Sequence, residues 1–62
     1  MITKCYLLNS NDEKVVKAIT KICDNIPCFI DANAVSINRL EFTIRCRQED
    51  IVYVEKVLAP FV

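Results

Sequence analysis

The four cysteines carry the most distinctive chemistry in this sequence. Cys5, Cys23, Cys28 and Cys46 are separated by 18, 5 and 18 residues. An even number of cysteines in a short chain allows two disulfides, with three possible pairings. The sequence has no histidine, and it lacks the C-x-x-C spacing of zinc fingers and thioredoxins. These features favour reduced, mostly buried thiols that pack as small apolar side chains, with a disulfide or a metal site as the alternatives.

Catalysis has few residues to draw on. Without histidine, no side chain titrates near neutral pH by default. Without glycine, the phosphate-binding P-loop and the dinucleotide-binding fingerprint are excluded. Asp31 is the most unusual carboxylate, because an acid between Ile30 and Ala32 is unfavourable in a strand, and we interpret it as a bulge residue at a sheet edge. The sequence therefore predicts no enzyme, and it assigns no catalytic, cofactor-binding or metal-binding residue.

The basic residues are balanced by acids, with eight Lys and Arg against eight Asp and Glu. A net charge of zero disfavours a general polyanion binder. Arg45 and Arg47 project from the polar side of one predicted strand, and Lys4 can join them in a small basic patch. Bases would need exposed aromatic side chains to stack on, but Phe42 points to the core. The patch favours acidic groups on a protein partner, and a nucleic-acid accessory role is an alternative.

The order of apolar and polar residues predicts five elements, β-α-β-β-α. Residues 1–9 favour a first strand that is apolar on both faces. The two later strands form a hairpin, and we place Asn38 and Arg39 in its turn. The pattern slips between Asp31 and Ala34, where a β-bulge would restore it. The last strand alternates most cleanly, with its apolar side formed by Leu40, Phe42, Ile44 and Cys46.

Both predicted helices have one apolar stripe. Ser10 and Glu13 match a capping box, so the first helix begins just after Ser10. Asn25 can adopt a left-handed cap and Pro27 cannot continue a helix, which predicts its end. The second helix begins near Gln48, with negative charge in its first turn. The stripes consist of Val15, Ile19, Ile22 and Ile26 in the first helix and of Ile51, Val54, Leu58 and Phe61 in the second.

These elements predict a single domain, residues 1–62, of the α+β class. The stripes are best buried if both helices lie side by side on one face of the sheet. A right-handed crossover places the last strand between the other two, giving an antiparallel order of first, third and second strand. The predicted fold is a two-layer sandwich of a three-stranded sheet and two helices.

This layout resembles a ferredoxin-like domain, and in particular the regulatory ACT module, over nearly the whole chain except a final strand. The resemblance is one of topology. ACT domains usually carry a glycine in the turn between the first strand and the first helix, next to the ligand site, whereas this chain has Ser10, Asn11 and Asp12 there. The resemblance implies a small-ligand sensor as an alternative function.

The missing fourth strand would leave the backbone of the first strand unpaired at the sheet edge. We expect a second chain to pair with this edge or to pack on the sheet face. The sequence thus predicts a small non-catalytic protein-binding or regulatory module, an adaptor or an inhibitor of the type that phages and mobile elements encode, acting as a homodimer or in a hetero-complex. The candidate interface residues are Ile2, Lys4, Tyr6, Leu8, Thr43, Arg45, Arg47 and Tyr53.

The N-terminal residues MITKCYLL contain no basic leader and no cleavage site for a signal peptide. No window approaches the roughly 20 apolar residues needed to cross a bilayer. We therefore expect a cytoplasmic protein without a membrane partner.

Overall fold

Three strands and two helices form the fold in a computed structural model that describes residues 1–62. The strands are β1 (Ile2–Leu8), β2 (Cys28–Ser36) and β3 (Arg39–Cys46), and the helices are α1 (Glu13–Asn25) and α2 (Ile51–Leu58). Short 3-10 turns at Gln48–Asp50 and Ala59–Phe61 precede and follow α2. β3 lies between β1 and β2 and is antiparallel to both. The predicted α+β class and strand order are confirmed.

Both helices pack on the same face of the sheet, here called the covered face. Alternate residues of a strand point to the same side, and the buried side chains of β3 are Leu40, Phe42, Ile44 and Cys46. They pack with Leu8 and with helix residues Val15, Ile22, Ile51, Val54 and Leu58. All ten core residues are apolar. Neither helix has the length and apolarity that a membrane span requires.

Asp12, rather than a capping box of Ser10 and Glu13, starts α1. Its carboxylate accepts hydrogen bonds from the backbone N–H groups of Lys14 at 3.0 Å and Val15 at 3.3 Å. An aspartate cap satisfies two free N–H groups and also places negative charge at the positive end of the helix. The helix consequently begins at Glu13.

The end of α1 follows from Pro27, without the predicted left-handed cap at Asn25. No residue in the chain has positive φ. Ile26 is extended, with φ −137° and ψ 150°, because a proline disfavours the helical conformation in the residue before it. Asn25 instead donates its side-chain N–H to the carbonyl of Lys21 at 2.6 Å.

The β2–β3 turn lies one residue earlier than predicted. Ser36 pairs with Arg39, so Ile37 and Asn38 form the turn and Arg39 belongs to β3. The register shifts between Ala34 and Ser36, because Val35 is an extra residue in β2. The predicted bulge therefore exists, but just after the segment from Asp31 to Ala34.

The helices leave most of β2 uncovered. Only Cys28 at its start is half-buried, and every later residue of the strand is exposed. Ala32 and Ala34 lie opposite Phe42 and Leu40 of the core, and thus on the covered face, yet both are exposed. β2 therefore presents both of its sides and its free edge to solvent.

Candidate protein interface at the sheet edge

The sheet has two unpaired edges, one along β1 and one along β2. β1 carries Lys4 at its middle, and lysine on an edge strand opposes pairing with another chain. The backbone N–H of Asn9, just after β1, donates to the carbonyl of Phe61 at 2.6 Å, so the final turn of the chain is fixed at this end. β2 is nine residues long and contains no lysine, arginine or proline. It is the less protected of the two edges.

The predicted interface residues of β1 mostly serve the core. Leu8 is fully buried, so it has no surface for a partner and is corrected from an interface residue to a core residue. Ile2 and Tyr6 are half-buried against the core, and the Tyr6 hydroxyl donates to Glu55 Oε2 at 3.1 Å. Lys4 is exposed. The covered face therefore uses most of the apolar surface that the sequence assigned to a partner.

Thr43 and Arg45 lie on the opposite side of the sheet, here called the open face. The Thr43 hydroxyl donates to Cys5 Sγ at 3.7 Å, across the β1–β3 pair. Arg45 is exposed between Thr3 on β1 and Phe29 on β2. These two predicted residues share a surface with each other but not with Ile2, Lys4, Tyr6 or Leu8. The predicted basic patch that joins Lys4 to Arg45 is therefore wrong, because the two side chains point to opposite sides of the sheet.

Arg47 and Tyr53 lie apart from both groups. The Arg47 Nε donates to Asp50 Oδ2 at 2.9 Å and lies 3.5 Å from Glu49 Oε1. The hydrogen bond to Asp50, followed by the charge of that carboxylate, raises the pKa of the Arg47 guanidinium. Tyr53 is half-buried beside a groove between the helices. The candidate residues thus occupy separate regions, and Arg47 already has acidic partners within the chain.

The exposed apolar side chains of β2 and its turn were missed by the sequence reasoning. Ile37 is 88% exposed, Phe29 68%, Val35 54% and Ile30 40%. The available signal was the run from residue 28 to 38, which contains apolar residues but no basic residue and no proline. Natural edge strands usually carry such protective residues.

Asp31 is the only charged residue of β2. It pairs with Thr43 in regular register, so it is not the bulge residue that the sequence suggested. Its side chain shares the open face with Thr43 and is exposed, which keeps the carboxylate hydrated without a cation beside it. Asp31 therefore sits in an edge strand at little cost.

The four cysteines are free thiols, but the prediction that they are mostly buried is wrong for Cys5 and Cys23, which are exposed. Cys5 lies on the open face, where no helix covers it. Cys46 is buried and Cys28 half-buried. Cys28 Sγ lies 4.0 Å from Cys23 Sγ, across the turn between α1 and β2. Burial, followed by this contact, raises the pKa of the Cys28 thiol to about 11.

The site as a whole is an apolar, unpaired edge strand on a small α+β domain. Comparison of the sequence with protein-family models and with curated proteins, and of the structure with solved structures, finds no match. No three Cys, Asp or Glu side chains come together in an arrangement that could hold a metal ion. The geometry of the chain itself is therefore the basis for assigning a function.

Proposed function

We propose that this chain is a small, non-catalytic protein-binding module of the regulatory type, and that it binds through the free edge of β2. The partner is a second copy of the chain, whose β2 pairs antiparallel to the first. The observation that carries the proposal is the nine-residue edge strand that is exposed at every position after Cys28. The unpaired N–H and C=O groups of such an edge are a template for another strand. Pairing would join two three-stranded sheets into one of six strands.

The side chains of β2 favour burial against another chain. Phe29, Ile30 and Val35 are each between 40% and 68% exposed. Removing apolar surface from water contributes about 25 cal/mol per Å². Ile30 and Ala34 lie on the same side of β2 and near opposite ends of its regular part, so each can contact the other residue in an antiparallel copy. The apolar surface is thus distributed as a two-fold symmetric interface requires.

The part of β2 that precedes the bulge at Val35 can pair with itself in an antiparallel register centred on Ala32. If the two-fold axis passes at Ala32, Asp31 lies opposite Asn33 of the second copy, and Ile30 lies opposite Ala34. This register separates the two Asp31 carboxylates from direct cross-strand pairing, in which like charges are destabilising. It also places a small alanine on the axis, where two identical side chains meet.

Charge and size indicate a reversible dimer. The net charge of zero gives two copies no overall repulsion. One pair of strand edges buries less than the roughly 1,200 to 2,000 Å² of stable interfaces, which is typical of weak or transient association.

A different protein that adds its own strand to β2 would compete with self-pairing. Such competition is how an adaptor or inhibitor role would follow from the same edge.

Sedimentation velocity over micromolar to millimolar concentrations tests the proposal. The wild-type chain should shift from 7.1 kDa toward about 14 kDa, twice the chain mass, as concentration rises. Ala32→Lys should remain monomeric throughout, because two ammonium groups would meet on the two-fold axis. The substituted side chain is exposed, so the fold itself should tolerate it.

Leu7→Lys is the matched control, because it adds the same charge to the other edge strand at an exposed position opposite Glu41. It should associate as the wild type does. A wild-type chain that stays at 7.1 kDa at every concentration would exclude the homodimer. Loss of association in Leu7→Lys but not in Ala32→Lys would assign the interface to β1 instead.

A further inference from the structure

The two helices border an open groove of about 510 Å³ between α1 and α2. Its lining consists of Lys14, Lys17, Ala18, Lys21, Tyr53, Lys56 and Val57. Four of these seven residues are lysines and none is acidic. In a chain whose net charge is zero, this is a local concentration of positive charge.

The lysines of α1 form a row of like charge, and within the helix only the Lys17–Glu13 pair offsets it. Lys14, Lys17 and Lys21 follow one another at spacings of three and four residues, so they lie on one side of the helix. Like charges at these spacings destabilise a helix. Lys14 also lies in the first turn, where the helix dipole disfavours a cation. An anion in the groove would relieve both effects.

The lysines are largely unpaired within the chain. Lys17 Nζ lies 3.3 Å from Glu13 Oε1, an exposed pair one helical turn apart. No carboxylate lies within 4.0 Å of Lys14, Lys21 or Lys56. The Tyr53 hydroxyl makes no hydrogen bond within the chain and is a further donor at the groove. The groove thus offers four ammonium groups and one hydroxyl, with Glu13 as the only paired acid.

We propose that this groove binds a small ligand that carries two or more phosphate groups. Lysine binds phosphate as a point charge, and several lysines around one volume favour a ligand of high charge density. The volume falls in the range of about 300 to 1,000 Å³ that is usual for small-molecule sites. From Lys14 to Lys21 the helix rises by about 10 Å, the scale of a short polyphosphate chain rather than of an extended nucleic-acid strand.

Isothermal titration calorimetry with inorganic tripolyphosphate at low ionic strength tests this site. The wild-type chain should bind, and Lys14→Gln/Lys21→Gln should weaken binding about tenfold or more, because charge-assisted contacts are lost. Both lysines are exposed, so the double variant should keep the circular dichroism spectrum of the wild type. The matched control, Lys4→Gln/Arg45→Gln, removes the same charge outside the groove and should bind within about twofold of the wild type.

Two results would overturn the proposal of a groove site. One is no binding of tripolyphosphate by the wild-type chain, and the other is an equal loss in both double variants, which indicates general charge attraction. Titration with a single-stranded thymidine oligonucleotide identifies the source of the phosphates. Weaker binding than tripolyphosphate supports the small ligand, whereas tighter binding that the groove variant abolishes would assign the site to nucleic acid.

Discussion

At the scale of single residues, Tyr6 shows how a polar tip can join two elements at the border of the core. Its ring packs against the core, and its hydroxyl donates to Glu55 Oε2 at 3.1 Å, which connects β1 to α2. Burial of the phenol, followed by this hydrogen bond and the charge of Glu55, raises the pKa of Tyr6 from 10.0 to about 12. All three effects favour the neutral hydroxyl in the folded chain.

Tyr6→Phe tests this assignment through the pH dependence of stability. The pKa of Tyr6 is 10.0 in the unfolded chain and about 12 in the folded chain. The stabilisation of the neutral phenol is thus fully present below pH 10 and is lost as pH rises through 12. The free energy of unfolding of the wild type should fall more steeply over this window than that of Tyr6→Phe, as measured by urea unfolding at a series of pH values. Equal slopes in the two proteins would contradict the raised pKa.

At the scale of elements, the start of α1 depends on one carboxylate. Asp12→Ala removes the acceptor for two backbone N–H groups and should lower the free energy of unfolding by about 1 kcal/mol. Ser10→Ala should change it by less than about 0.5 kcal/mol, because Ser10 makes no capping hydrogen bond. Denaturant unfolding followed by circular dichroism measures both. A loss in Ser10→Ala as large as that in Asp12→Ala would restore the capping box.

Sequence patterns predict the elements well because periodicity is local. The alternation in β3 and the helical spacing in α1 and α2 identify the faces that meet in the core, and the crossover rule gives the strand order. Choices between neighbouring residues are less certain. Two details differ from the prediction: Asp12 rather than Ser10 caps α1, and the turn lies one residue before Asn38–Arg39. Each depends on small energy differences that composition does not reveal.

The candidate interface was harder to predict because exposure depends on the whole molecule. Ile30, Ala32 and Ala34 occupy positions on the covered face, so the alternation alone would bury them. Their exposure follows from where the two helices lie over the sheet. The same placement buries Leu8, which the sequence assigned to an interface. β1 is a free edge of the sheet, as the sequence predicted, but β2 is a second free edge and exposes more large apolar side chains.

At the scale of the whole molecule, the core consists of only ten buried residues. Typical stability of about 0.05 to 0.15 kcal/mol per residue gives roughly 3 to 9 kcal/mol for a chain of this length. A partner that binds only the folded state adds to this stability by mass action. A second copy on β2 would thus stabilise the chain and also cover its exposed apolar edge.

The two proposed binding surfaces are compatible with each other. The groove is lined only by residues of α1 and α2, whereas self-pairing uses β2. A dimer joined along β2 would therefore carry two separate grooves. Tripolyphosphate binding and self-association can each be lost by substitution without a direct effect on the other, which allows the two proposals to fail independently.

Isotope-filtered nuclear Overhauser spectroscopy on an equimolar mixture of labelled and unlabelled chains tests the proposed β2 pairing most directly. We predict contacts between the Ile30 methyl groups of one chain and the Ala34 methyl group of the other at concentrations where sedimentation detects the dimer. The absence of intermolecular contacts at millimolar concentration, or contacts confined to residues of β1, would contradict it.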